Sequence, residues 1–375
     1  MTTPRETRTF IEQELAEPLE RIERARLAAV RELHRKRSHL KIGAVVLTLL
    51  LMFIMGPFGL FVGVVVGFFG YLGFSQRFQN MAIPKELRDD FKRDVIRPLV
   101  DHAAPSTTYY PDRHVSLDAF SASGMFQTHP TRFRGDDLVE GRLGDTDIRF
   151  SELDAEHRGR SSEAGDSRTI FKGLFFSADF HKDFRGFTIV RPRPPKLVKS
   201  YLGRGSKADK MNAGLAMAEH ISASRWTPES SRFGRLEEIE LEDPEFMEHF
   251  RVYSTDQVEA RYILSPSMME RLLAFRGEAV RAREALAQRI DAKKKFIQVV
   301  DQDEMESGRF YVSFAHSNVY IAKHHFRDLF EIDTRQPLTD PSRIEEYAAD
   351  LRFAFDIVED LNLNTRIWSK APTGR

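Results

Sequence analysis

Residues 40–74 read LKIGAVVLTLLLMFIMGPFGLFVGVVVGFFGYLGF, and the organisation of the whole chain follows from this stretch. Apolar side chains fill 25 of its 35 positions, against 41% of the full chain, and Lys41 at its edge is the only charge. As one helix, the 33 uncharged residues from Ile42 to Phe74 would rise roughly 50 Å at about 1.5 Å per residue. A bilayer's hydrocarbon core is only ~30 Å thick. Gly56-Pro57-Phe58-Gly59 falls at the middle, where proline removes a backbone donor and glycine suits a tight turn. Splitting there predicts two arms, His39–Met55 and Phe58–Phe74, each near the ~17 residues that suffice to span.

The outer flanks are both basic: Arg35, Lys36, Arg37 and Lys41 at the start of the run, Arg77, Lys85 and Arg88 after it. Basic flanks stay on the cytoplasmic side, so two such flanks call for an even number of crossings. This predicts a transmembrane helical hairpin over 40–76 with both termini cytoplasmic. One tilted, kinked span is the alternative; a buried hairpin in a soluble protein sits poorly with so long an uninterrupted apolar run. Gly59, Gly63 and Gly67 recur four apart in the second arm. That spacing places small residues on one helix face, as a packing seam for the first arm or for another copy of the chain. Glycine is also simply common in membrane helices.

Outside this run the chain is polar and balanced. Lys plus Arg and Asp plus Glu number 56 each, so the formal net charge is zero and no nucleic-acid partner is expected. There are no cysteines, which excludes disulfides, thiolate metal sites and a cysteine nucleophile. The first 39 residues hold nine Lys or Arg and seven Glu with no apolar core, so they do not read as a signal peptide. They read as a helix over Glu6–Ser38, with Ile11, Leu15, Leu19, Ile22, Ala29 and Leu33 near helical spacing. Pro18 suits the first turn of a second helix, and Arg26 interrupts the apolar stripe. Such a helix either touches anionic headgroups or is solvated and only supplies the positive-inside signal.

Residues 80–362 predict a soluble α+β domain. A helix over Ile83–Val100 is bounded by Pro84 and Pro98. Short runs rich in Phe, Ile and Val then predict strands at Val115–Ser121, Asp137–Arg142, Asp147–Leu153, Ile170–Phe180 and Phe187–Arg191. Further strands are predicted at Leu236–Leu241, Arg251–Tyr253, Gln257–Leu264, Phe296–Val300, Arg309–Ala315 and Val319–Ala322. Helices are predicted over Met268–Ile290 and Pro341–Leu361, the latter with Ile344, Tyr347, Leu351, Phe355 and Val358 on one face. Runs of strands followed by helices, rather than alternation, imply a largely antiparallel sheet. A basic, proline-rich insertion spans Arg191–Glu229, Arg158–Arg168 is a second polar loop, and residues 363–375 form a tail.

Three stretches carry a family resemblance: FKGLFFSADFHKDFRGFTIV at 171–190, FRVYSTDQVEARYILSPSMMERL at 250–272, and YVSFAHSNVYIA at 311–322 followed by Leu329-Phe330-Glu331. In this order, behind an apolar pair of spans, they resemble the bacterial membrane proteins called domain-of-unknown-function family 3137. The resemblance covers roughly 80–362. It implies a bacterial source and a place in the inner membrane, and it implies no reaction. Asn is commoner than His in that family at the position of His181, which counts against a metal ligand there.

Asp179, His181 and Asp183 are spaced two apart, so in an extended chain they share a face and could hold a divalent metal. The alternative is a polar sheet face or turn with Phe180 and Phe184 on the buried side. Glu259 is a weaker catalytic carboxylate, better explained by a pair with Arg261 on the same strand face. His324 and His325 near Asp328 are adjacent and point to opposite faces, while Ser265 or Ser267 reads as a helix cap. The chain has no GxxxxGK[ST], HExxH or GxSxG. No cofactor is implied. The expectation is thus a membrane-anchored, non-enzymatic module that binds protein partners or organises the membrane on the cytoplasmic side, its partners being the bilayer and other proteins or a second copy; the alternative is a metal-dependent hydrolase or other enzyme using Asp179, His181 and Asp183.

Overall fold

The computed structural model describes residues 4–56, 83–158, 167–180, 185–193, 226–276, 310–324, 328–332 and 337–360. The chain divides into two compact units, Met1–Ala103 with Phe330–Asp350, and Ala104–Leu329 with Leu351–Arg375.

The first unit is helical. Helix α1 (Pro4–Gln13) is followed by α2 (Ala16–Met55), so the break falls at Glu14–Leu15 and Pro18 lies within the first turn of α2. Ile11, Leu15, Leu19 and Ile22 are all buried, as the apolar spacing requires. The N-terminal helix is therefore packed into its own unit rather than solvated along this stripe. Arg26 does not break the stripe: it is buried beside Glu23, which it contacts through both Nε and Nη2 at 2.7 Å. The Glu23 carboxylate also accepts from the Leu338 N–H at 3.0 Å. Its proton affinity falls below the ordinary carboxylate value, first because Arg26 donates to it, with burial opposing.

Helix α3 (Lys85–Phe91) runs into a π-turn, Lys92–Ile96, and on into α4 (Arg97–Ala103). Pro98 was expected to end this element, yet the helix continues to Ala103. The widened turn explains it: the Arg97 N–H reaches back five residues to the Lys92 carbonyl, so the ladder is already displaced where proline lacks a donor. Lys92 is buried and pairs with Glu331 at 3.2 Å, and Arg21 pairs with Asp94.

At its far end α2 behaves differently. Ile42, Val46, Leu50, Phe53 and Ile54 are 58, 58, 54, 90 and 68% exposed. The helix stops at Met55, with Gly56 at φ 63°, where the Gly-Pro pair predicts a break. Between Ile42 and Met55 it rises only ~21 Å, short of a ~30 Å hydrocarbon core. Among the described residues no helix is long and apolar enough to cross a membrane. The second arm of the expected hairpin, with Gly59, Gly63 and Gly67, lies outside the described residues, as do residues 194–225, Phe296–Val300, the Arg158–Arg168 loop at 159–166, and the tail.

The second unit is built on one antiparallel sheet of nine strands in the order β1-β2-β3-β4-β9-β8-β5-β7-β6. They are β1 (Thr107–Tyr110), β2 (Arg132–Leu143), β3 (Thr146–Arg158), β4 (Ser167–Asp179), β5 (Thr188–Pro192), β6 (Glu237–Ile239), β7 (Phe250–Ser254), β8 (Phe310–Ala315) and β9 (Asn318–His324). The largely antiparallel α+β expectation holds for this unit. The β2–β3 hairpin closes through Gly144 and Asp145, with Gly144 at φ 59° supplying the positive φ that a two-residue hairpin turn needs. The β8–β9 hairpin closes through His316 and Ser317, both at positive φ without being glycine.

Two predicted strands are helices. Val115–Ser121 gives way to α5 (Leu117–Ala122), because the Ser116 hydroxyl caps it by accepting from Ala119 N. Gln257–Leu264 becomes α7 (Gln257–Ile263), since the Asp256 carboxylate accepts from both Val258 N and Glu259 N. Strand β1 and α6 (Pro244–His249, capped by Asp243) were not foreseen. A helix α8 covers 266–276, with Ser265 as its cap at 3.4 Å from Met268 N. Helix α9 (Pro341–Asp360) carries its expected buried face, and in the second unit Phe355 meets the Phe150 ring edge-on at 5.6 Å. The opposite sheet face buries Leu153, Phe171, Phe175, Ile189 and Tyr253 beneath Val115, Phe120 and Met125.

Candidate functional site

The densest chemistry lies at a β-bulge in β2. Asp136 pairs with Glu152 and Val139 with Phe150, so three steps on β2 match two on β3 and one residue is extra. The bulge puts Asp137 at φ 58° and turns its side chain inward, where it is 0% exposed. Its backbone is held by donation to the Pro111 carbonyl at 3.3 Å, and its carboxylate accepts from the Tyr109 hydroxyl. Gly135 precedes the bulge because nothing larger fits: a Cβ there would lie 2.2 Å from the Glu152 carbonyl oxygen.

Glu152 faces the bulge from β3 and is 5% exposed. Carboxylate oxygens of Asp136, Asp137 and Glu152 all lie within 4.8 Å of one another. Among the described residues this is the one group of three acidic or imidazole side chains close enough to share an ion. Burial pushes the Glu152 carboxyl well above the ordinary 4.5, and the neighbouring Asp328, Asp136 and Asp137 push it further; the Leu329 N–H, 2.6 Å from Glu152 Oε2, opposes them. Lys172 pairs with Asp328 at 2.8 Å. Burial lowers the Lys172 affinity for its proton, yet Asp328 outweighs it and the net shift is upward. Such a cluster is stable either with Glu152 protonated and donating to a neighbouring carboxylate, or with a hard divalent cation on its oxygens. The cluster's only trace in the sequence is Asp136-Asp137 ahead of Leu138-Val139, a polar pair then an apolar pair where strict alternation should run.

Sequence-derived candidates fall elsewhere. Asp179 is the last residue of β4, opposite Asn318, and lines an open polar groove of about 800 Å³ with Arg142, Arg149, Ser177 and Tyr320. His181 and Asp183 lie outside the described residues. Phe180 is buried against Phe314 at 5.3 Å, on the apolar side as expected. Glu259 does not share a strand face with Arg261. It sits on α7 and accepts from Arg185 N and Gly186 N at 3.2 and 2.8 Å, anchoring the entry to β5. Arg261 pairs instead with Glu242 at 3.0 Å. His324 packs its ring against Phe171 at 4.8 Å in the core, and His325 lies outside the described residues.

No curated protein matches the chain, and no solved structure does. A family model described as a protein of unknown function, DUF3137, matches residues 169–299 and 294–363, taking in β4 to β9 and α9. The three motifs and the family model agree, and the chain belongs to the DUF3137 family.

Proposed function

We propose that the protein is a membrane-anchored, non-enzymatic module that holds its antiparallel-sheet unit at the cytoplasmic face of a bacterial inner membrane, where it binds protein partners. The observation carrying this reading is the change of environment along α2. Its first half buries even an arginine, whereas its last turns leave Ile42, Val46, Leu50 and Phe53 exposed at helical spacing. In water such a stripe is costly at roughly 25 cal/mol per Å² of apolar surface. The stripe leads directly into the uncharged run that continues to Phe74. An anchor made of α2's end and the segment after Gly56-Pro57 gives the stripe an apolar solvent and supplies the length that α2 lacks. The non-enzymatic part is supported by the site's anchored side chains: Asp137 accepts from the Tyr109 hydroxyl and Glu152 from the Leu329 N–H, contacts that a structural role accounts for. Extraction of membranes at pH ~11 tests the anchor, because a peripheral protein is released and an embedded one stays with the lipid. Release of the full chain into the supernatant would overturn the reading.

A further inference from the structure

At the far side of the sheet, β5 and β7 set Arg191 directly opposite Arg251. Like charges facing each other across an antiparallel pair destabilise it. Arg193 lies two residues on, so strand alternation puts it on the same face, and its N–H extends the ladder by donating to the His249 carbonyl at 2.7 Å. The Arg191 guanidinium is fixed in place, 4.2 Å over the Trp226 ring and 5.1 Å from that of Tyr311, and donates to the Met125 carbonyl at 3.3 Å. Its neighbours are only partly served. Arg251 has a hydrogen bond to the Tyr253 side chain, but Arg193 Nε, Arg251 Nε and Trp226 Nε1 are buried donor atoms with no hydrogen-bond partner among the described residues. Among those residues the carboxylate paired with Arg251 is Glu238, half-exposed and 3.7 Å from its Nε, too far for a hydrogen bond.

An unmet buried donor costs about 1–3 kcal/mol, and folded proteins satisfy nearly all of them. Among the described residues, three such donors on one aromatic-lined sheet face, beside three guanidinium groups and one peripheral acid, call for an acceptor with several oxygens. We propose that Arg193, Arg251 and Trp226, positioned by the stacked Arg191, form a binding site for a phosphate-type anion. A tetrahedral phosphate offers acceptors in enough directions to meet two guanidinium Nε–H groups and an indole N–H together, which a planar carboxylate does not. The anion is either a phosphorylated solute or a phospholipid headgroup, and the site does not depend on how the chain is anchored.

The test uses the full chain with Trp368→Phe, which leaves Trp226 as its only tryptophan. In detergent, inorganic pyrophosphate is expected to change Trp226 emission saturably. Arg193→Gln and Arg251→Gln each weaken that response at least tenfold, while the surface variant Arg158→Gln does not. In nanodiscs, a headgroup source predicts an emission change on adding phosphatidic acid to phosphatidylcholine, reversed by pyrophosphate; a solute source predicts none. The parent protein alone decides the matter should a variant misfold. No saturable response to pyrophosphate and none to phosphatidic acid would overturn the proposal, as would equal midpoints in parent and both arginine variants.

Discussion

The two halves of α2 invert the usual rule of polar outside and apolar inside. Near its start, Glu23 and Arg26 are 8 and 5% exposed, whereas near its end Phe53 is 90% exposed. What differs is the partner available. Arg26 has a carboxylate at 2.7 Å, and that carboxylate has a backbone N–H as well. The apolar end has no protein cover among the described residues that would shield it. Burial therefore follows satisfied interactions rather than residue polarity, and the proposed anchor would give the exposed end an apolar solvent.

The largest effect should come from breaking the second half. Val46→Asp with Leu50→Asp places two charges on the exposed stripe, each costing ~3 kcal/mol if that stripe is in the hydrocarbon core. The double variant is expected to leave the membrane fraction on alkaline extraction. Unchanged retention would mean that the stripe faces water or headgroups.

The first half should break almost as severely. Arg26→Ala leaves Glu23 buried without its cation, which costs about 3–5 kcal/mol. Urea unfolding of the helical unit should show that loss, and pairing Arg26→Met with Glu23→Met should restore most of it. If Arg26→Ala is neutral, the pair is not what keeps the arginine inside.

A buried carboxylate in the sheet unit sharpens the contrast. Glu23 has a cation beside it and binds its proton less tightly than usual; its contribution is present above pH 4.5 and lost as pH falls through its folded value. Glu152 is buried, with carboxylates rather than a cation beside it, and binds its proton more tightly. Its contribution is full below pH 4.5 and is lost as pH rises through the folded value. Glu152→Gln should flatten that decline for the sheet unit and leave the acid limb of the helical unit unchanged, as followed by stability against pH. An unaltered alkaline slope would place Glu152's proton elsewhere.

The smallest effect involves no burial and sets the scale for the others. His316→Asn with Ser317→Gly fits the φ of 50° and 64° at the β8–β9 turn and should stabilise by roughly 1 kcal/mol. A loss of stability instead would show that these two side chains hold the turn.

Much of the fold was legible because period and punctuation agreed with tertiary packing. The long strands β2, β3 and β4, the face of α9 and the stop at Gly56 all followed from local chemistry. Short elements failed where one cap outweighed strand propensity: Ser116 and Asp256 each turn a β-rich run into a helix. Pro98 misled because a π-turn had already absorbed its missing donor. The acidic site was almost invisible, since its three carboxylates meet through a bulge register that no spacing of residues 136, 137 and 152 reveals. Arg26 read as a defect in a stripe because its partner's third contact, Leu338 N, comes from the other end of the chain.

The proposed anchor is tested most directly by topology. The chain has no cysteine, so Glu17→Cys, Pro57→Cys and Glu245→Cys each introduce a single thiol for a membrane-impermeant maleimide applied to intact cells. Two crossings with both ends inside predict labelling at position 57 alone, with 17 and 245 reacting only after lysis. Labelling at 245 in intact cells would contradict the hairpin, and equal protection of all three would contradict a crossing at all.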